Sequence, residues 1–230
     1  MKEPKPIKII TKKTIPKGHY SRSDWLHNAS HRIFISGSTG SGKSFFLLDL
    51  LPHMRIDELC IMTSTLDQEP YVSIRKHYED TKTELRLSEE LDPAMFKIPP
   101  DDSKHTVIVI DDPMDVADNL TWKEDIVPLF KKGRHGGVTT ILIDQDFFSI
   151  IPEIRKNVDM FALFKTNNSG AVSQLANRFS NIIKPGKFKS YYNDLMSVPH
   201  TPLLVDVNNP SERLRVRAGI KGVLNRFAPT

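Results

Sequence analysis

One glycine-rich segment in the first quarter of the chain constrains the fold more than any other feature. Residues 37–44 read GSTGSGKS and match G-x-x-x-x-G-K-[ST] at every fixed position. The apolar run before this segment (33–35) predicts a buried strand, and the apolar run after it (45–51) predicts a helix. Strand, glycine loop and helix in this order are the context of a phosphate-binding loop. The sequence therefore predicts binding of a nucleoside triphosphate.

The residues of this loop have separate predicted roles. Glycines let the backbone turn its N–H groups toward the phosphates, and the helix N-terminus adds its positive end. Lys43 is expected to reach the β- and γ-phosphates as a catalytic residue, and Ser44 is expected to bind Mg²⁺. The predicted nucleotide-binding set is Gly37, Ser38, Thr39, Gly40, Ser41, Gly42, Lys43, Ser44 and Phe45.

A second motif, VIVIDD at residues 107–112, places two carboxylates directly after four apolar residues. The apolar run predicts a strand buried on both faces, and ligands of an open parallel sheet bind beyond the carboxyl ends of its strands. Asp111 is expected to hold Mg²⁺ through its water shell, and Asp112 to orient and deprotonate the attacking water. A turn-forming aspartate after an apolar strand is common, so this interpretation depends on its position after the glycine loop.

A third stretch, residues 131–145, joins a basic, glycine-rich segment to a predicted buried strand that ends in Gln145. Gln145 either senses the γ-phosphate and positions the water or only caps the strand. We expect Arg134 to lie in a mobile loop, which suits a phosphate contact or a finger that reaches a neighbouring subunit. The alternative is a helix C-terminus whose basic residues match the helix dipole. Arg155 is the competing arginine for the finger.

The remaining apolar runs predict strands that alternate with helices. Strands are expected at 7–10 (a short edge strand), 58–64, 106–111, 138–144, 159–165, 191–196, 202–207 and 214–218. Helices are expected at 70–81, 122–132, 152–157 and 171–178. Residues 88–102 are acidic and contain three prolines, so we expect an irregular surface excursion there. This alternation predicts an α/β P-loop NTPase fold, with a mostly parallel sheet and helices on both faces.

Composition and charge indicate one domain with basic ends. The 230 residues, 39% of them hydrophobic, suffice for one core, so we expect a basic arm at 1–28 and one ATPase domain at 29–230. Its basic C-terminal extension would span 184–230. Residues 1–22 hold seven basic residues and one acid, whereas 81–119 hold ten acids and four basic residues. Residues 184–226 hold eight basic residues and three acids. Basic ends suggest a polyanion partner, although solvated surface charge is an equal alternative.

The number and spacing of cysteines and histidines limit which disulfides and metal sites the chain can form. The single cysteine, Cys60, excludes an internal disulfide and a cysteine-built zinc site. The histidines are scattered without ligand spacing, so Mg²⁺ is the only metal that we expect. Because no apolar run is long enough to cross a bilayer, we expect a soluble protein that is not secreted and has no direct membrane span.

With these residues in view, the chain resembles the viral genome-packaging ATPases of the FtsK/HerA superfamily. The resemblance is to the poxvirus-type lineage, which virophages and other internal-membrane and double-jelly-roll viruses share. It rests on GSTGSGKS, VIVIDD, KKGRHGGVTTILIDQ and IPEIRKNVDMFALFK in this order, within residues 32–165. Two positions depart from the superfamily pattern. Asp112 stands where glutamate is frequent, and Asp144 stands where a small hydroxyl residue usually precedes the glutamine.

The resemblance implies a RecA-like core of the ASCE type and a homo-oligomeric ring, a hexamer or a pentamer. It implies Mg²⁺-dependent ATP hydrolysis that moves double-stranded DNA into a preformed viral capsid, at a capsid or portal vertex. The expected location is the assembly site in the host cytoplasm, or the virion. With about 60 residues after the core, we expect no appended nuclease domain.

Three other functions remain open. A plasmid-type DNA pump or a helicase is the nearest alternative. An assembly factor that docks on the capsid under control of ATP would bind nucleotide without needing Asp112. A nucleotide kinase shares the glycine loop and the chain length but needs an arginine-rich lid, for which the acidic segment 88–102 is poorly suited.

Overall fold

The computed structural model describes residue 26 and residues 30–90, 92–99, 103–113 and 122–220. Within these ranges the strands are β1 Arg32–Ser36, β2 Glu58–Met62, β3 Glu84–Ser88, β4 Thr106–Asp111, β5 Val138–Asp144, β6 Met160–Leu163, β7 Leu203–Asp206 and β8 Val216–Ala218. The helices are α1 Lys43–Leu50, α2 Glu69–Glu79, α3 Val127–Lys132, α4 Pro152–Arg155, α5 Ser169–Arg178 and α6 Pro185–Met196. A π-helical segment, Trp122–Ile126, precedes α3, and 3₁₀ helices span Leu51–His53, Pro93–Phe96, Gly133–Gly136 and Glu212–Leu214.

The strands form one sheet in the order β3-β2-β4-β5-β1-β6-β7-β8. All pairings from β3 to β6 are parallel, and β7 and β8 are added antiparallel at one edge. Strand β5 lies between β1, which leads into the glycine loop, and β4, which ends at Asp111. The carboxyl ends of these three strands are therefore side by side, where an open α/β sheet binds its ligands.

A separate layer of helices covers each face of the sheet. Successive side chains of a strand point to opposite faces, so the buried residues of β1 divide between two hydrophobic clusters. Ile33 and Ile35 pack with α1 and α2, and Phe34 packs with α3, α4, α5 and α6. Each fully buried aliphatic side chain contributes about 1.5–3 kcal/mol to this packing. The predicted fold class, a mostly parallel sheet between helices, is confirmed.

The element predictions are correct where apolar runs are long. The strands at 106–111 and 138–144 have the predicted bounds. The strand predicted at 191–196 is wrong, because these residues continue α6 from Pro185, and Tyr191 and Leu195 pack four positions apart against the core. Among the described helices, none has the length and apolarity to cross a bilayer.

Two further differences concern strand β3, at the opposite edge of the sheet, and the segment 88–102. Strand β3 was not predicted, because its sequence ELRLS alternates polar and apolar residues at a half-exposed edge instead of forming an apolar run. Residues 88–102 were expected to be irregular throughout, yet Pro93–Phe96 forms a 3₁₀ helix capped by the Asp92 side chain. The strand predicted at 7–10 lies outside the described residues.

Candidate nucleotide-binding site

The glycine loop between β1 and α1 has the backbone of a phosphate-binding loop. Gly40 and Gly42 have φ values of 73° and 103°, a left-handed conformation that glycine adopts without strain. Helix α1 begins at Lys43, so the N–H groups of its first turn have no acceptor within the helix and attract an anion. The Lys43 Nζ donates to the carbonyls of Gly37 and Ser38 at 2.8 and 3.4 Å, which holds its ammonium group against the loop.

Neighbouring strands fix the start of this loop. The Gly37 N–H donates to the Asp144 carbonyl of β5 at 3.3 Å, and the Ser38 N–H donates to the Lys165 carbonyl at 2.9 Å. A Cβ on Gly37 would lie 2.4 Å from the Cβ of Phe164, so only glycine lets the loop pass this close to the chain after β6. The position of the loop is thus set by the strands on both sides of β1.

Asp111 occupies the buried end of β4 and is 5% exposed. The hydroxyl of Tyr71, on α2, donates a hydrogen bond to its Oδ2, whereas its Oδ1 is buried without a hydrogen-bond partner. The pKa of Asp111 is raised to about 6, mainly by burial. The hydrogen bond from Tyr71 opposes this rise, and the charge of Asp112 adds to it. A buried oxygen without a proton donor is suited to a cation.

Asp112, Gln145 and Thr39 form a chain of polar contacts across the site. Asp112 has a φ of 46°, a left-handed conformation that aspartate adopts more readily than most residues. The side-chain nitrogen of Gln145 lies 3.5 Å from Oδ2 of Asp112, and its Oε1 accepts a hydrogen bond from the Thr39 hydroxyl at 3.0 Å. The amide therefore connects the glycine loop to the second carboxylate.

The predicted metal ligands, Ser44 and Asp111, come together around one hydroxyl group. The Tyr71 hydroxyl that bonds to Asp111 also lies near the Ser44 side chain. A serine hydroxyl and a carboxylate are oxygen donors of the kind that Mg²⁺ prefers, and Oδ1 of Asp111 has no other partner. These residues fit a magnesium ion.

Arg134 is not part of this constellation within one subunit. It precedes β5, whereas Gln145 follows β5, so about 20 Å of strand separates them. The segment predicted as a loop is a 3₁₀ helix, Gly133–Gly136, and a Cβ on Gly136 would lie 2.4 Å from the Pro99 carbonyl oxygen. The Arg134 guanidinium lies 3.7 Å from Asp159.

Arg155 has different surroundings. Its guanidinium stacks on Phe147 and Phe148 and donates to the Phe148 carbonyl at 3.3 Å. Arg178 donates to the Arg155 carbonyl at 2.6 Å and stacks on the same aromatic cluster. Burial and the charge of Arg155 lower the pKa of Arg178. Among the described residues, no carboxylate forms a salt bridge with either arginine. Two cationic groups are thus held together beside one aromatic cluster.

Sequence reasoning missed two residues beside the loop. Tyr71 was predicted only as part of a helix, and His200 only as one of the scattered histidines. His200 has a φ of 55°, and its Nδ1 lies 3.4 Å from the Ser41 carbonyl oxygen. A Cβ on Gly42 would lie 2.7 Å from the same nitrogen. Both residues come from distant segments, so no local pattern marks either as part of the site.

The predicted site residues that the structure does bring together are Lys43, Ser44, Asp111, Asp112 and Gln145. Phe45, which was predicted to contact the nucleotide, is 47% exposed on the first turn of α1. This loop, on a mostly parallel sheet covered by helices, defines the chain as a P-loop NTPase in fold.

The family can be stated more narrowly. The family model described as Poxvirus A32 protein matches residues 17–182, well over half of the chain. The chain belongs to the Poxvirus A32 protein family, and the resemblance drawn from its motifs is confirmed. Uncharacterized protein 015R of Frog virus 3 (isolate Goorha) is 28% identical over 148 residues, 60% of this chain. The chain spans 44% of the length of that relative.

Solved structures share the fold. The genome packaging NTPase B204 from Sulfolobus turreted icosahedral virus 2, in complex with ATP-gammaS, superposes with a TM-score of 0.55 at 16% identity. That alignment covers 85% of this chain and 100% of B204. ATPases 2 and 3 of EssC from Geobacillus thermodenitrificans give a TM-score of 0.51 at 14% identity, over 84% of this chain and 40% of EssC.

Proposed function

We propose that the protein is an ATP-hydrolysing translocase that packages double-stranded viral DNA into a preformed capsid. One observation supports the proposed ATP hydrolysis. The glycine loop, both carboxylates and Gln145 meet at the carboxyl ends of three adjacent strands. The packaging role is supported by membership of the Poxvirus A32 protein family and by the fold shared with B204, which is a genome packaging NTPase.

Different groups of the chain would have separate roles in ATP hydrolysis. Lys43 and the first-turn N–H groups of α1 would bind the β- and γ-phosphates and stabilise the negative charge on them. Asp112 would accept the proton of the attacking water at its carboxylate. Gln145 would orient that water and respond to the γ-phosphate, since its amide already contacts both Thr39 and Asp112.

Magnesium bound with the triphosphate would neutralise charge on the phosphate oxygens. Ser44 would hold the ion through its hydroxyl, and Asp111 through water. The burial of Asp111 keeps its carboxylate in one place and excludes competing solvent from Oδ1.

The proposed DNA contacts lie in the basic ends of the chain. Lysine charges that neutralise phosphates give affinity without sequence preference. In the described part of the C-terminal segment, Lys184, Lys187 and Lys189 are exposed around the start of α6. Arg217 does not belong to this surface, because its side chain is buried 3.9 Å from Asp206. The basic segment at 1–22 lies outside the described residues.

Motion along DNA would require several copies of the chain. We propose a homo-oligomeric ring, a hexamer or a pentamer, at a capsid or portal vertex, acting at the cytoplasmic assembly site or in the virion. An arginine from the neighbouring subunit, Arg134 or Arg155, would add positive charge on the far side of the γ-phosphate.

ATPase rate with and without long double-stranded DNA tests this function. We expect turnover to rise several-fold with DNA, and DNA affinity to fall with salt with a logarithmic slope of about −0.9 per phosphate neutralised. Turnover that responds only to single strands would favour a helicase, and phosphoryl transfer to a nucleotide acceptor would identify a kinase. Turnover that DNA leaves unchanged would favour an assembly factor, and each of these three outcomes contradicts the proposal.

A further inference from the structure

Tyr71 is a buried residue whose hydroxyl lies at the centre of the predicted metal site. It belongs to the first turn of α2 and is 1% exposed. Its hydroxyl donates to Oδ2 of Asp111 and lies near the Ser44 and Thr63 side chains. One phenol oxygen therefore bonds to the residue at the end of β4, beside side chains from α1 and from the residue that follows β2.

The two oxygens of Asp111 are in different situations as a result. A carboxylate can rotate about its last side-chain bond, and this torsion is only weakly restricted by its own geometry. The hydrogen bond from Tyr71 holds Oδ2 toward α2, while Oδ1 is left buried without a partner. The rotation of the carboxylate, and hence the direction of its remaining lone pairs, is set by a hydroxyl from a different helix.

A packing role alone does not explain this residue. A phenylalanine would fill nearly the same volume without placing a polar oxygen in the interior, where an unpaired hydroxyl is costly. The hydroxyl is instead hydrogen-bonded to Asp111, a residue predicted to hold magnesium. Groups that hydrogen-bond to metal ligands orient those ligands, and their loss commonly reduces metal affinity by about 10- to 100-fold.

We propose that Tyr71 is a positioning residue that orients Asp111, and through it the water shell of Mg²⁺, in the nucleotide-loaded enzyme. The inference rests on the proposed ATPase function. It assigns α2, which the motifs leave without a role, to the metal side of the site. In this role Tyr71 acts through Asp111, to which its hydroxyl is hydrogen-bonded.

The test compares the full-length protein with Tyr71→Phe by binding of a fluorescent ATP analogue, titrated with magnesium at fixed nucleotide. In excess EDTA, we expect both proteins to bind the analogue within about twofold of each other. The magnesium concentration at half-maximal enhancement of binding should rise by about tenfold in Tyr71→Phe, as expected for a lost hydrogen bond to a charged group. Turnover at saturating ATP and limiting magnesium should fall, and added magnesium should restore part of it.

Tyr78→Phe is the matched control, because Tyr78 is buried two turns further along the same helix. It should leave the magnesium midpoint at the wild-type value. An unchanged midpoint in Tyr71→Phe overturns the proposal, as does a lower midpoint, which would mean that the hydroxyl competes with the ion. An equal loss of affinity with and without magnesium assigns Tyr71 to packing. If the wild-type protein binds no nucleotide, the proposed function fails instead.

Discussion

Asp112, the residue predicted to activate the water, is positioned by an unusual backbone conformation and by contacts with β5 and Gln145. A left-handed backbone at a non-glycine residue costs about 1 kcal/mol, and such conformations concentrate at functional sites. At Asp112 this conformation occurs directly after β4, and the Asp112 N–H donates to the Ile143 carbonyl at 3.0 Å. The carboxylate thereby comes within 3.5 Å of the Gln145 amide. Gln145 and Asp112 together offer the water an acceptor and an orienting amide.

Replacement of Asp112 by asparagine separates this role from nucleotide binding. Asparagine keeps the size and tolerates the left-handed backbone but cannot accept the proton of the water. We therefore expect Asp112→Asn to bind ATP within about twofold of wild type and to lose about 10²–10⁴-fold in turnover.

Lys43→Ala should instead lose binding, because Lys43 meets phosphate charge already present in the ground state. Equilibrium binding and phosphate release measured on the same preparations distinguish the two. Wild-type turnover in Asp112→Asn would refute the base assignment.

At the scale of single residues, the sequence identifies those functional residues that belong to a short local motif. The loop 37–44 and the carboxylates after β4 could be predicted because spacing and neighbouring apolar runs define them. Tyr71 and His200 could not be predicted, since each reaches the loop through tertiary packing from a segment with no motif of its own. The role of Gln145 was open in the sequence, and its two hydrogen bonds favour participation in the site over a simple cap.

At the scale of elements, the carboxyl and amino ends of the parallel strands hold different kinds of polar groups. The carboxyl ends hold the proposed catalytic groups, and the amino ends are linked by buried polar side chains. His105, which precedes β4, donates from Nδ1 to the Arg55 carbonyl, and its Nε2 accepts from the Thr139 hydroxyl of β5 at 2.8 Å. The same hydroxyl accepts the His31 N–H at 2.9 Å, so one polar cluster links β4, β5 and the start of β1. This cluster is built for a neutral imidazole.

Stability should therefore depend on pH through His105. Its pKa is lowered to about 4, chiefly by burial. Between pH 6.5 and 4 the unfolded chain binds a proton that the folded chain does not, so this residue's contribution to the free energy of unfolding falls with decreasing pH. The loss reaches about 3 kcal/mol at 1.36 kcal/mol per pKa unit. Asp111 acts in the opposite direction, because its raised pKa favours the folded state at low pH.

A comparison of wild type with His105→Gln isolates the histidine from Asp111. Urea unfolding at several pH values gives the difference in free energy of unfolding between the two proteins. We expect wild type to be the more stable protein at pH 7 and its advantage to shrink steadily below pH 6.5. An advantage that stays constant down to pH 4 would show that His105 does not titrate with unfolding.

Elements could be predicted from the sequence where a single physical signal dominates. Strands β4 and β5 are continuous apolar runs because both of their faces are buried, and their bounds were correct. Strand β3 escaped prediction because an edge strand with one covered face carries only a weak alternation. The start of α6 was not predicted because its apolar residues are interspersed with exposed lysines along the sequence. Its first turn also contains Pro185 and Gly186.

At the scale of the whole molecule, the described part of one subunit places cations on one side of the site only. Lys43 and the first turn of α1 would face the phosphates of a bound nucleotide from the loop. Arg134 lies beyond the other end of β5, so it could act only on the site of a neighbouring subunit. Its pairing with Asp159 is loose at 3.7 Å, because Arg32 occupies the same carboxylate at 2.6 Å. Nearly half of the Arg134 side chain is exposed and available to a second subunit.

A mixing experiment tests whether this arginine acts across a subunit boundary. We expect Arg134→Ala to lose roughly 10³-fold or more in turnover while it still binds ATP, since such fingers stabilise charge that grows in the transition state. Lys132→Ala, which removes an exposed neighbouring charge, should retain wild-type turnover and serves as the control. Lys43→Ala should be inactive alone. When Arg134→Ala and Lys43→Ala subunits are mixed, some interfaces pair an intact loop with an intact finger, so part of the activity should return.

Normal turnover of Arg134→Ala, or no recovery in rings shown to be mixed, would exclude Arg134. The same measurements on Arg155→Ala would then test the arginine that has no carboxylate partner among the described residues.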